Sequence, residues 1–220
     1  MPLSFPAQPV RLLLIRHGEV EERYQKIFGG CRIDMNLSVH GQQQAQGVDA
    51  WIADLPVDRL YASPMRRAQQ TLAPLAARRG LVPITLTDLR EVDFGDWTGC
   101  HWEELRERFG VSAFAWLDIL ERGEVPHGES AAALLARVKP CLQRILDESA
   151  GGSAAVVCHG GIVRALLALL LDLPLGKTAH FRVEYGSIAA VLVQPDKPHR
   201  VEIDMLNVRP LHDPAALRDL

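Results

Sequence analysis

The residues best suited to chemistry stand in four short blocks. Arg16-His17-Gly18-Glu19 follows the apolar run Leu12-Leu13-Leu14-Ile15, Arg66 and Arg67 lie just beyond Ser63-Pro64, Glu91 sits in the stretch Leu89 to Trp97, and His159-Gly160-Gly161 ends the run Ala154 to Cys158. Guanidiniums are planar, permanently charged forks that match phosphate oxygens, and helix N-termini add unsatisfied N–H groups and partial positive charge. A neutral imidazole among them can attack phosphorus and split one difficult displacement into two easier ones. On these grounds His17 is the candidate nucleophile, Arg16, Arg66 and His159 neutralise charge on the phosphoryl oxygens, and Glu91 protonates the departing alkoxide. Arg67 competes with Arg66, because adjacent helical residues point about 100° apart and only one of them can face a pocket. Asp93 and Asp96 compete with Glu91 but read as turn or capping residues. No metal or other cofactor is required by this chemistry, and a metallohydrolase built on His17, Glu19 and His159 would hold its ion beside arginines that repel it.

The elements that must carry these residues follow from periodicity. Leu12–Ile15, Leu60–Ala62, Ile84–Leu86 and Ala154–Cys158 are short, continuous apolar runs, as expected of strands covered on both faces. The spacing of Ala45, Val48, Ile52 and Leu55 predicts a helix with Ser38 as N-cap. Ser63-Pro64 reads as a cap and first turn for a helix whose face is Ala68, Thr71, Leu72, Leu75 and Ala76. Two short helical patterns fall between Trp102 and Arg122, another runs from Glu129 to Ser149 with Pro140 expected to kink or divide it, and Ile162 to Leu171 is a central apolar helix. Ser187–Val193 and Arg200–Leu206 read as an antiparallel pair at the sheet edge. Strands alternating with helices predict an α/β fold with a largely parallel sheet, a helical insertion over residues 97–130 and a surface tail from about residue 210. In such a sheet, ligands bind beyond the carboxyl ends of the strands, where all four blocks fall.

Composition bounds the possibilities. A chain of 220 residues, 48% hydrophobic and 23% charged, is expected to form one domain over 1–220 with ample core. Net charge is −3 with no basic block, which argues against a nucleic-acid partner, and no apolar run is long enough to span a bilayer. Cys31, Cys100, Cys141 and Cys158 are scattered without metal-ligand spacing, so reduced thiols and a cytoplasmic setting are expected. Cys158 beside His159 reads as a small core residue, not a nucleophile. Glu129 reads as a helix-start residue near the pocket rim. Of the remaining histidines only His101 and His127 are placed to line a substrate mouth, and Trp97, Trp102, Phe109, Phe114 and Trp116 read as packing of the insertion.

The blocks Leu13 to Glu19, Ser63 to Thr71, Leu89 to Gly99 and His159 to Arg164, with Pro126-His127-Gly128-Glu129-Ser130, resemble the histidine phosphatase superfamily, the phosphoglycerate mutase-like group. One Arg-His-Gly is weak evidence, whereas four blocks in the same order are specific. The resemblance implies a three-layer αβα sandwich with a mostly parallel mixed sheet, a phosphohistidine at His17 and Glu91 as proton donor. It also implies Arg16, Arg66 and His159 around the phosphate, selecting Arg66 over Arg67. Arg23, Gly29, Gly30 and Gly160 complete the candidate substrate contacts. The short middle region is similar to the phosphatase branch, and to alpha-ribazole and broad-specificity phosphatases within it. A metal-independent phosphomonoesterase acting on a small phosphorylated metabolite, as a monomer or homodimer, is therefore expected. A phosphoglycerate mutase-type transferase and a non-catalytic phospho-ligand binding protein are the alternatives. Val20 and Arg23 depart from the Ser/Thr and Asn that many members carry there, and Arg23 either meets a second acidic group on the substrate or faces water.

Overall fold

The computed structural model describes residues 3–197 and 200–210. Six strands, β1 (Val10–Arg16), β2 (Arg59–Ala62), β3 (Ile84–Thr85), β4 (Ser153–Cys158), β5 (Ile188–Val193) and β6 (Val201–Val208), form one sheet in the order β3-β2-β4-β1-β5-β6. The strands β3, β2, β4 and β1 are mutually parallel, while β5 runs antiparallel to β1 and β6 antiparallel to β5. The helices are α1 (Val39–Trp51), α2 (Arg66–Arg79), α3 (Glu104–Phe109), α4 (Trp116–Arg122), α5 (Ala131–Glu148) and α6 (Gly160–Leu171). Both expectations for the sheet, a parallel body and an antiparallel closing pair, agree with this topology. Among the described residues no helix is long and apolar enough to cross a membrane.

The unbroken apolar run of β1 reflects burial on both faces. Leu12 and Leu14 join Ala154 and Val156 of β4 in a core shared with Leu134, Val138, Leu142 and Ile145 of α5 and with Ile162 and Leu166 of α6. Leu13 and Ile15 point the other way, into a second core with Val48 of α1 and Ala68, Leu72 and Leu75 of α2. Period-two alternation thus assigns successive residues to opposite helical layers, and the result is the three-layer sandwich. Between β3 and β4 the chain is helical and crosses one end of the sheet, with Leu105 of α3 and Leu117 and Leu120 of α4 buried in the first core.

Local departures from the sequence reading have physical causes. Ser38 caps α1 as expected, its Oγ accepting from Gly41 N–H at 2.9 Å. Ser63 does not cap α2: the helix starts at Arg66, its N-cap is Met65, and the Arg66 amide is satisfied by Asp34 Oδ1 at 2.9 Å. Pro140 neither divides α5 nor ends it, because the turns on both sides bury Val138 and Leu142 and outweigh one lost hydrogen bond. The tail expected from residue 210 lies, beyond Pro210, outside the described residues. Leu14→Ala should cost about 2–5 kcal/mol, the range for emptying a fully buried leucine site, and urea denaturation of the two proteins measures it. A shift no larger than that of an exposed substitution such as Val82→Ala would contradict the packing described.

Candidate active site

Because β1 and β4 are in register with Arg16 opposite Cys158, their carboxyl ends deliver two histidines side by side. The His17 amide donates to Cys158 O at 2.9 Å, and the His17 and His159 rings lie 5.1 Å apart between centroids. Arg67, from the first turn of α2, joins them. Its Nε–H is shared between His17 Nε2 and His159 Nδ1, each at 3.2 Å, while its terminal nitrogens donate to Gly30 O at 2.9 Å and Ile33 O at 3.1 Å.

These contacts fix both tautomers. His17 Nδ1 lies 2.8 Å from Gly18 O, a pure acceptor, so Nδ1 carries the proton and Nε2 holds the lone pair. His159 Nδ1 accepts from Arg67, which leaves its Nε2–H to donate to Ser63 Oγ at 2.7 Å. Burial, with the positive charges of Arg67 and Arg16 behind it, pushes both ring pKa values well below 6.5, so both rings are neutral near pH 7. A buried, neutral ring nitrogen with its lone pair facing a cleft is a nucleophile ready for use.

The expectation that Arg66 faces the pocket is corrected. Arg66 is exposed and pairs with Asp34 at 3.0 Å, whereas Arg67 is buried between the imidazoles. The helical period carried this information: Arg67 stands four and eight residues before Thr71 and Leu75 on the buried face, and Arg66 stands four before the more exposed Gln70. Asp34 then captures Arg66 by both its amide and its guanidinium.

Arg16 lies where the sequence placed it. It donates to Val183 O at 2.7 Å and stacks over Tyr185 at 3.8 Å from the ring centroid. Arg164, quoted in the last block without a role, donates to Gly160 O at 3.3 Å and Phe181 O at 2.9 Å, and burial pushes its pKa down to about 10. The Nε atoms of Arg16 and Arg164 are both buried without a protein partner. Among the described residues Arg16, Arg67 and Arg164 form no ion pair, and although Glu91 and Glu184 share the lining, the cleft keeps an excess of positive charge suited to a phosphate dianion.

Glu91 is held against the start of α6. Its Oε1 accepts from the Val92 amide at 3.0 Å and its Oε2 from the Gly161 amide at 3.3 Å. A Cβ at Gly161 would stand 2.5 Å from Glu91 Oε1 and 2.7 Å from Val92 Cγ2, so any larger residue there displaces the carboxylate from this position. The loop that presents Glu91 is clamped by Arg137 of α5, which donates to Arg90 O at 2.9 Å and Glu91 O at 3.1 Å. On its other side Arg137 pairs with Glu129 at 2.6 Å. Glu129 is thus half of a largely buried ion pair and not a simple helix-start residue. Asp93 pairs with Arg32 and accepts from the Gly95 amide, and Asp96 pairs with His127.

These groups open into a cleft of about 560 Å³. Gly29, Gly30 and Gly160 line it with Arg16, His17, Glu91 and Arg67, and buried His159 supports it from behind. Arg23 does not line it; the residue is exposed, pairs with Glu21 and lies over the Tyr24 ring, while Tyr24 and Val20 take the wall positions. His101 and His127 are also absent from the lining. Trp102, Phe114 and Trp116, read from sequence as packing, are on it. Burial raises the Cys158 thiol pKa and keeps it protonated, so it has no nucleophilic role. Among the described residues no group of three or more His, Cys, Asp or Glu is arranged to hold a metal ion.

The model of the histidine phosphatase superfamily (branch 1) matches residues 12–205. The adenosylcobalamin/alpha-ribazole phosphatase of Salmonella typhimurium is 30% identical over 83% of this chain and 90% of its own length. Phosphoserine phosphatase 1 of Hydrogenobacter thermophilus is 29% identical over 83% of this chain and 86% of its own. Among solved structures, a mycobacterial glucosyl-3-phosphoglycerate phosphatase superposes with a TM-score of 0.80 at 27% identity, covering 91% of this chain and 100% of that one. The alpha-ribazole phosphatase from Shigella flexneri gives 0.76 at 27% identity, covering 92% and 98%.

The histidine pair makes stability depend on pH. Unfolding returns each ring to an ordinary pKa near 6.5. Below that pH the unfolded chain therefore binds more protons than the folded one, and stability falls as pH falls. Each histidine contributes at most about 1.4 kcal/mol per pH unit to this loss. Urea unfolding at about pH 7.5 and 5.5 should show the fall, and His17→Gln should make it shallower. Equal slopes in the two proteins would contradict the burial of a neutral His17.

Proposed function

The chain belongs to the histidine phosphatase superfamily, and on that premise we propose that it is a phosphomonoesterase that passes its substrate's phosphoryl group through His17. The observation that carries the reading is the unprotonated Nε2 of a neutral His17, its lone pair held by the Arg67 Nε–H alone, inside a cup of guanidiniums. A phosphate monoester entering the cleft takes over the Arg67 Nε–H that now holds the lone pair. Arg16, Arg67 and Arg164 then face its non-bridging oxygens. Nε2 attacks phosphorus, the bond to the alcohol oxygen breaks, and Glu91 gives that oxygen a proton. Water then attacks the phosphohistidine, the P–N bond breaks, and Glu91, left as a carboxylate, takes a proton from that water, releasing phosphate and free His17 and restoring the acid. Beyond substrate and water, every step draws on protein groups.

A small phosphorylated metabolite is the substrate class. The named relatives, alpha-ribazole and phosphoserine phosphatases among them, support an ester of that size, whether one such compound or several. The free cysteines support a reducing, cytoplasmic setting.

A phosphatase panel run with and without EDTA, with His17→Ala as control, tests the reading. Turnover should be insensitive to the chelator and should fall by about 10³-fold or more in His17→Ala; an unchanged rate in that variant would end the assignment. Glu91→Gln should slow alkyl phosphates by roughly 10²–10⁴-fold and p-nitrophenyl phosphate, whose leaving group needs no proton, much less. The adjacent arginines give a sharp contrast: Arg67→Ala should lower kcat by about 10²–10³-fold, whereas Arg66→Ala should stay within about twofold. The reverse order would show that the Arg66 reading from sequence was right.

A further inference from the structure

The cleft has two unlike ends. At its base are the imidazoles, the guanidiniums and Glu91; at its mouth stand Tyr24, Ile27 and Phe28 from one loop and Trp102, Phe114 and Trp116 from the helical insertion. Two of these aromatics are exposed. Phe114 has 86% of its surface in solvent and Trp102 42%, and their rings meet edge to face at 6.4 Å. Phe28 supports Trp102 from below at 6.4 Å, and Trp116 packs on Phe94 at 5.5 Å. Phe114 is presented by a capped turn, Ala113–Ala115, whose N-cap Ser112 accepts from the Phe114 amide at 3.3 Å. An exposed phenylalanine alone needs no explanation. Two exposed aromatics on the lining of one cleft, one seated on a capped turn and the other on a buried ring, form an apolar corner in which either ring face can stack on a flat group.

The direction of the reaction says what meets that surface. His17 Nε2 attacks from the base, and the leaving oxygen departs on the opposite side of phosphorus, so the alcohol extends toward the mouth. For a second acidic group the lining offers one cation outside the phosphate cup, the exposed Arg182, and sets Glu184, opposite in sign, two residues from it. Arg16 and Arg164 are tied to backbone carbonyls, and Arg23 is off the lining with Glu21. We infer that the cleft selects phosphate monoesters whose alcohol carries a flat apolar group, with Phe114 and Trp102 as the determinants of that preference. The inference rests on the phosphomonoesterase reading above.

Comparing 2-phenylethyl phosphate with ethyl phosphate isolates this effect, because both leaving groups are primary alkoxides and differ mainly in the ring. Wild-type kcat/KM should favour the phenylethyl ester by about tenfold or more, the scale of one aromatic stacking contact. Phe114→Ala and Trp102→Ala should each lower that ratio several-fold, and Phe114→Tyr, which keeps the flat ring, should restore it. Calorimetric binding of the same two esters to His17→Ala protein reads the preference without chemistry. A wild-type ratio near one, or a ratio that neither truncation moves, would overturn the inference while leaving the phosphatase reading intact. Retained binding preference with no wild-type turnover would sink the phosphatase reading and keep the lip. If Phe114→Ala dissociates a dimer in sedimentation and slows both esters equally, the patch is a subunit interface and the inference fails.

Discussion

One guanidinium N–H shared by two imidazoles organises the site. Arg67 Nε bridges His17 and His159, and that geometry exists only because three requirements coincide. The parallel pairing of β1 and β4 must bring both strand ends level, α2 must begin at Arg66 so that its second residue points inward, and the loop at Gly30 and Ile33 must offer carbonyls to the rest of the guanidinium. Burying Arg67 and two imidazoles, with Arg16 and Arg164 half-buried beside them, costs desolvation. The cost shows on Arg67 and Arg164, whose pKa values burial lowers, and on the rings, which burial and the neighbouring guanidiniums keep neutral, so the lone pair on His17 Nε2 stays in place.

The remaining machinery is arranged so that little must move when substrate arrives. The Glu91 carboxylate is oriented by the Val92 and Gly161 amides, and its backbone is gripped by Arg137, itself fixed by Glu129. Arg16 is fixed by one terminal nitrogen on Val183 O and Arg164 by both of its own on Gly160 O and Phe181 O, and the Nε atoms of the two are buried without a protein partner. Dipoles and charges set in advance stabilise a transition state without reorganisation. The segment whose carbonyls hold Arg16 and Arg164 also lines the cleft from Phe181 to Tyr185.

Much of this was legible in the chain. The apolar runs ending in Arg16-His17 and in Cys158-His159 predict paired strand ends because both faces of those strands are buried, and Glu91 follows from its place after β3. Arg67 was legible too, since it shares the period of Thr71 and Leu75, but the choice of Arg66 rested on the family resemblance and not on that period; the Ser63-Pro64 cap signal also placed the helix start two residues early. The Arg137 clamp was not legible: its partners are main-chain carbonyls 46 and 47 residues away, and carbonyls carry no sequence signal. Trp102 and Phe114 were read as packing, because a residue type says nothing about whether the insertion covers a ring or offers it to solvent.

The central claim is that the phosphoryl group rests on a named nitrogen. Mixing the protein with ³²P-labelled p-nitrophenyl phosphate, quenching into alkali within milliseconds and mapping the labelled peptide tests it directly. The label should appear on His17, stable to base and lost in acid, as expected of a phosphoramidate. A rapid turnover that leaves no protein-bound label at any quench time, or label on any other residue, would contradict it.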